Sequence, residues 1–119
     1  MKTTRFLTRT ATVLAVSCLL AGAAASATHA QDAKQAYEKN CVNCHGAGGK
    51  GDGPAAAKLK PAPGDLAKTL KGMSDADIAK IVKEGGKAVG KAPTMPGYGK
   101  KLNDAEIQGL VQYMKQFVK

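Results

Sequence analysis

The chain has 119 residues, with 18 Lys and Arg against 9 Asp and Glu, three Cys, two His, no Trp and five Phe plus Tyr. That length allows one domain and argues against a multidomain enzyme. Ala, Gly and Lys dominate while the β-branched and aromatic residues that fill pleated surfaces are scarce, so a large sheet is excluded and a helical, loop-rich chain expected.

The first segment reads as a leader. Lys2, Arg5 and Arg9 precede an uncharged apolar run from Ala11 to about Ala25, which closes on small residues and the Thr28-His29-Ala30 step. A basic start, an apolar middle and small residues three and one before the cut are the layout of a secretory signal peptide. Cleavage is therefore expected after Ala30, with residues 31–119 exported to the periplasm. A retained membrane helix would need ~20 apolar residues, more than the run supplies, so no stable membrane insertion is expected after cleavage. A lipoprotein cut before Cys18 lacks the usual Leu three residues earlier. Removing residues 1–30 leaves 89 residues and a formal charge of +6. A domain near that size buries little more than about 60% of its unfolded surface, so something besides side chains is expected to fill its middle. Cys18 and His29 leave with the leader, and the Cys and His that remain lie in five consecutive residues.

From Gln31 to Asn40, Asp32 offers a cap, and Ala33, Ala36 and Tyr37 recur at helical spacing, which predicts a first helix running into Cys41. Gly46 to Pro63 holds too many glycines and prolines for a regular element and reads as a long loop, with one helical turn at Ala55-Ala56-Ala57. Asp65 to Lys71 predicts a short helix stopped by Gly72. Ser74 with Asp77 caps the next, whose buried stripe is Ile78, Ile81 and Val82 and which Gly85-Gly86 ends. Lys87 to Lys101 is again loop. The last helix opens on the Asn103…Glu106 capping pattern, and Ile107, Leu110, Val111, Met114, Phe117 and Val118 form its apolar face. No strand and no repeat is predicted.

Cys41-Val42-Asn43-Cys44-His45 is the attachment pattern for c-type haem. Two thiols three positions apart near a helix end can each add to one of two neighbouring porphyrin vinyl groups, and the next residue presents its imidazole to the iron from the same side. A zinc site needs about four ligands, and residues 31–119 offer no further Cys or His. A thioredoxin-like disulfide expects strands alternating with helices around the pair, where this chain has a glycine-rich loop. A plain structural disulfide leaves His45 without a role.

The iron's sixth position turns on sulfur. Met73 precedes a helix cap and can simply cover the core. Met114 sits on the apolar stripe of the last helix, where Met usually packs. Met95 lies in Pro93-Thr94-Met95-Pro96-Gly97, a stiff stretch with no helix to pack, and its thioether suits an axial ligand; the alternative is a loop anchor.

Those marks resemble the class I c-type cytochromes, small monohaem electron carriers. The resemblance runs from Asp32 to Val118 and rests on Cys41, Cys44 and His45, on Met95-Pro96 about fifty residues later, and on the closing amphipathic helix. It implies an all-α fold of three to four helices around one covalent haem c, with the first and last helices crossing. Ala33 and Tyr37 look like the crossing residues of the first helix, and Leu110 and Tyr113 like their partners, with Gly109 permitting close approach. Gly53-Pro54 is similar to the family step whose proline carbonyl accepts a hydrogen bond from the proximal imidazole, which would fix its tautomer. The chain departs from the family in having Ala33 for a more usual glycine and no Trp for a haem propionate; Tyr98, Lys91 and Lys100 are the candidate propionate partners instead.

The resulting expectation is a periplasmic one-electron carrier, not an enzyme, with His45 and Met95 as axial ligands and Ile78, Ile81, Leu110 and Phe117 excluding water from the haem. It is expected to act as a monomer on redox proteins with acidic docking surfaces, because Lys50, Lys58, Lys60, Lys91, Lys100 and Lys101 flank the two ligand-bearing segments. The alternatives are a five-coordinate haem protein acting as gas sensor or weak peroxidase, and an electron-transfer subunit of a larger complex. Nucleic-acid binding is set aside, since export removes the chain from nucleic acid and no aromatic residues interleave with its basic ones.

Overall fold

The N-terminal helix is longer than its cap signal marks. The computed structural model describes residues 21–119, with side chains from His29 onward, and α1 runs Ala21–Asn40. The stretch before Gln31 is alanine-rich, and alanine is the strongest helix former. The helix is therefore already formed at Ala21, the first described residue, crosses the Ala30–Gln31 step unbroken, and places Asp32 in its interior rather than at a cap. The basic start of the expected leader, its apolar run as far as Leu20, and Cys18 lie outside the described residues.

α1 ends immediately before Cys41, and the attachment pattern forms a separate short helix, α2, Val42–His45. The long loop that follows contains a 3-10 turn at Ala56–Lys58. α3 is Leu66–Thr69, where the Asp65 carboxylate accepts from the Ala67 N–H at 2.9 Å. α4 is Asp75–Glu84, with the Ser74 hydroxyl accepting from the Asp77 N–H at 3.1 Å. A second 3-10 turn, Lys87–Val89, interrupts the segment expected to be wholly loop. α5 is Asp104–Lys115, and both halves of its capping box form: Asn103 Oδ1 accepts from the Glu106 N–H at 2.9 Å, and Glu106 Oε2 from the Asn103 N–H at 2.8 Å. Each such cap is worth ~1 kcal/mol. The described residues form no strand, and the all-α expectation is met.

The expected crossing of first and last helices is present. A Cβ placed on Gly109 would lie 3.4 Å from that of Ala33, so the α1 and α5 backbones approach as closely as one methyl group allows. Around that point Tyr37, Ile107, Leu110 and Val111 are fully buried. Tyr37, Tyr113 and Phe117 form an aromatic triad with ring centroids 5.2 to 5.6 Å apart. α4 packs beside α5 through Ile78 and Val82. Two ion pairs, Lys83–Asp104 at 2.6 Å and Lys115–Asp75, join the same helices on the solvent side. Exposed pairs of this kind fix orientation more than they add stability.

Candidate haem pocket

A cavity of about 240 Å³ opens beside the helix crossing, walled by α2, α3, α4, α5 and the loops after α2 and α4. Its wall is mainly apolar: Leu66, Leu70, Ile78, Ile81 and Val82 contribute from α3, α4 and the turn after α3. Cys44 and His45 reach it from α2, and Lys91, Met95, Pro96 and Tyr98 from the loop after α4.

His45 is placed by local hydrogen bonding. The Cys41 carbonyl accepts from the N–H groups of Cys44 at 3.1 Å and His45 at 2.9 Å, closing α2 into one tight turn. The following loop folds back onto that turn, with Gly53 N–H donating to the Cys44 carbonyl at 3.2 Å and Ala55 N–H to the Asn43 carbonyl at 2.9 Å. A Cβ at Gly53 would lie 2.4 Å from the Asn43 oxygen and 2.5 Å from the Val42 oxygen, so the close approach requires glycine. Burial lowers the His45 pKa and keeps the imidazole neutral. Its Nδ1 is enclosed and has no hydrogen-bond partner. The bond expected from His45 to the Pro54 carbonyl is therefore not made. Pro54 is exposed and stands outside the cavity wall, although Gly53 and Ala55 on either side of it are bonded to α2.

Met95 is placed by a backbone seam. After Gly85, whose φ of +85° ends α4, the Gly86 N–H donates to the Met95 carbonyl at 2.9 Å, and the Lys91 N–H to the Gly86 carbonyl at 2.7 Å. Tyr98 N–H donates to the Val82 carbonyl at 2.8 Å and Gly99 N–H to the Lys83 carbonyl at 3.0 Å. These loop amides satisfy carbonyls that the last turn of a helix otherwise leaves unpaired. At Gly97 a Cβ would lie 2.8 Å from the Glu84 carbonyl carbon, so the two backbone segments meet with no side chain between them.

The remaining candidates fall differently. Cys41 is buried in the core and is not part of the cavity wall; burial, reinforced by Cys44, pushes its thiol up to about 11. Both thiols are free. Tyr98 lines the cavity, but its hydroxyl donates to the Asn40 carbonyl at 2.8 Å, which uses the phenol's one proton and leaves none for a propionate. Of the two lysines offered for that role, Lys91 is at the wall and Lys100 is not. Ile78 and Ile81 take their expected places, whereas Leu110 and Phe117 do not: Leu110 is sealed in the core, and Phe117 packs on Tyr37 and Tyr113. Met73 and Met114 also reach the cavity. Only Met114 lies on an apolar helix stripe, while Met73 stands just before the cap of α4. Among the described residues no three His, Cys, Asp or Glu side chains come together to hold a metal ion.

Residues 28–114 match the family described as cytochrome c oxidase, cbb3-type, subunit III. The chain belongs to this family of class I c-type cytochrome domains. Among similar proteins, the cbb3-type cytochrome c oxidase subunit CcoP of Azospirillum sp. (strain B510) is 34% identical over 101 residues, covering 80% of this chain and 31% of that protein. The CcoP subunit of Azospirillum brasilense is 28% identical over 88 residues, 74% of this chain and 28% of its own length. The chain thus spans about a third of the curated relatives it matches. Among solved structures, the reducing HAO-like protein complex of Kuenenia stuttgartiensis aligns with a TM-score of 0.65 at 27% identity, over 77% of this chain and 44% of that one. Family membership implies haem binding, and the pocket fits it on its own terms. A neutral imidazole with an unclaimed nitrogen, a thiol and a thioether share one apolar cavity, and these are the donor types that c-type haem uses.

Proposed function

We propose that this chain is an exported one-electron carrier domain that holds a single haem covalently through Cys41 and Cys44, with His45 and Met95 as its axial ligands. The observation that carries this is the meeting of Cys44, His45 and Met95, 51 residues apart at their extremes, on the wall of one apolar cavity. Of the three methionines there, Met114 belongs to the buried core and Met73 packs against it, while Met95 belongs to neither group. Its sulfur is the one not already engaged in packing.

The haem would supply an iron centre that gains and loses one electron. The chain supplies everything else. Burial keeps the imidazole of His45 unprotonated and available as a ligand. The thioether of Met95, a soft donor, would favour ferrous iron and raise the potential. Leu70, Ile78, Ile81 and Val82 keep water from the cavity, which holds the dielectric low and adds to the same effect. With His45 and Met95 both holding the iron, the chain would leave no place for a substrate, and the domain would act as a carrier rather than an enzyme.

The similar Azospirillum proteins are named as oxidase subunits, which favours a domain that exchanges electrons while docked on a larger redox protein. A monomer acting alone draws no support from them. The layout of residues 1–30 supports export, and covalent attachment suits it, since an exported protein cannot recover a lost cofactor. The test is to produce the chain in a host that attaches haem, then record an intact mass, a pyridine haemochrome spectrum and an acid–acetone extraction. One haem retained through extraction on a chain beginning at Gln31 is expected. Extractable haem or an apoprotein mass would refute it. A ferric spectrum without the far-red sulfur-to-iron band would turn the assignment to the five-coordinate, gas-binding alternative.

A further inference from the structure

Two phenols bracket the segment that carries the haem ligands. Tyr37 donates to the carbonyl of Gly46, the residue just after His45, at 2.9 Å in a buried hydrogen bond. Tyr98 donates to the carbonyl of Asn40, the residue just before Cys41, at 2.8 Å. Both acceptors stand where a helix terminus leaves carbonyls without intrahelical partners. Burial raises the pKa of both phenols, so both stay protonated as donors.

The two bonds differ in what they join. Tyr37 belongs to α1 and sits at the helix crossing, so its bond ties α2 to the core. Tyr98 lies three residues beyond Met95, and its own backbone is pinned to α4 through the Val82 carbonyl at 2.8 Å. Its hydroxyl is the side-chain hydrogen bond that runs from the Met95 loop to the start of the Cys41–His45 segment. Resting on the His45–Met95 assignment above, we propose that Tyr98 is a positioning residue that pins these two segments to each other, so that losing its hydroxyl loosens both and exposes the iron.

Tyr98→Phe removes the bond and keeps the ring, with Tyr37→Phe as its counterpart. A neutral hydrogen bond of ordinary strength corresponds to about a three- to tenfold change in an equilibrium. In the holoprotein, Tyr98→Phe is expected to speed amide hydrogen exchange by about that factor both at residues 41–46 and at residues 95–99. Cyanide binding to the ferric protein, which must wait for the sulfur to leave, is expected to rise by a similar factor. Tyr37→Phe is expected to speed exchange at residues 41–46 alone and to leave cyanide binding at the wild-type rate. Exchange that quickens in only one segment of Tyr98→Phe, or a cyanide rate raised equally by both variants, would overturn the coupling. Exchange that quickens in both segments with cyanide binding unchanged would support the coupling and refute Met95 as the ligand, so the two failures are told apart.

Discussion

Gly86→Ala asks whether the backbone seam after α4 is what holds Met95. Gly86 has an ordinary helical φ of −63°, so alanine suffers no conformational strain there and the penalty is purely steric. The added methyl would lie 2.0 Å from the Ala92 carbonyl oxygen, and since Cβ atoms essentially never come within 3.0 Å of such a neighbour, the loop must retreat by about 1 Å. That retreat disturbs the Lys91-to-Gly86 bond at 2.7 Å and the Gly86-to-Met95 bond at 2.9 Å. Two hydrogen bonds at about 0.5–1.5 kcal/mol each put the loss at ~1–3 kcal/mol, the range in which overpacking also falls. For a domain of this size 1 kcal/mol moves Tm by about 4–8 °C, so a mid-range loss of ~2 kcal/mol lowers it by ~8–16 °C. Melting should be followed in parallel by far-UV circular dichroism and by the far-red sulfur-to-iron band, which is expected to weaken before unfolding begins. Gly72→Ala is the control. Its φ of +79° makes alanine strained, yet no atom lies within 4 Å of the added methyl, so a loss of ~1–2 kcal/mol is expected with the band intact. A Gly86→Ala protein with wild-type melting and an undiminished band would refute the seam, as would a band lost equally in Gly72→Ala.

Met95→Ala should retain haem, lose the far-red band, admit carbon monoxide or cyanide and lower the midpoint potential, whereas Met73→Ala and Met114→Ala should destabilise the fold and keep the band; visible and near-infrared spectra decide it. Reversal of Lys91 and Lys100 to Glu should slow electron transfer to an acidic partner more than reversal of Lys34 and Lys119, and the difference should shrink as salt shortens the field's reach to ~10 Å at 0.1 M; stopped-flow rates across ionic strength measure this. The hydrogen bond from Lys115, then that from Gln112, holds the Asp75 carboxyl below the ordinary carboxylate range. A depressed folded-state pKa contributes stability above the unfolded value and loses it as pH falls through the folded one. Lys115→Gln should therefore lower Tm slightly at neutral pH, and the gap from wild type should close as the pH falls through the acid range, as read by melting at a series of pH values.

Much of this molecule was legible in its sequence because its strongest signals are local. Ser74 with Asp77 and Asn103 with Glu106 each involve residues three apart, and both caps form as read. The helix crossing was legible through the family resemblance, which marked Ala33, Tyr37 and Gly109 as its residues, and Ala33 and Gly109 do meet there. Spacing does not encode how side chains are shared between two apolar layers. Leu110 and Phe117 lie on the stripe expected to face the haem, yet they fill the layer between α1 and α5, and Met114 on the same stripe reaches the cavity. Tyr98 was misread for a related reason: a phenol near a haem pocket has several acceptors within reach, and the Asn40 carbonyl that takes it lies 58 residues away in sequence. Asp32 does not cap α1 because that cap signal stands inside a run whose helix propensity continues upstream.

The seam after α4 separates two demands that a carrier places on one loop. Met95 is fixed by main-chain hydrogen bonds and glycine contacts, so its position does not depend on which side chains the neighbouring loop residues carry. Lys87, Lys91, Pro93 and Lys100 are exposed on that loop. On the proposed assignment, their charge and shape can be exchanged to suit a different redox partner while the sulfur stays where it is, so recognition and potential can be altered independently within the fourteen residues from Lys87 to Lys100.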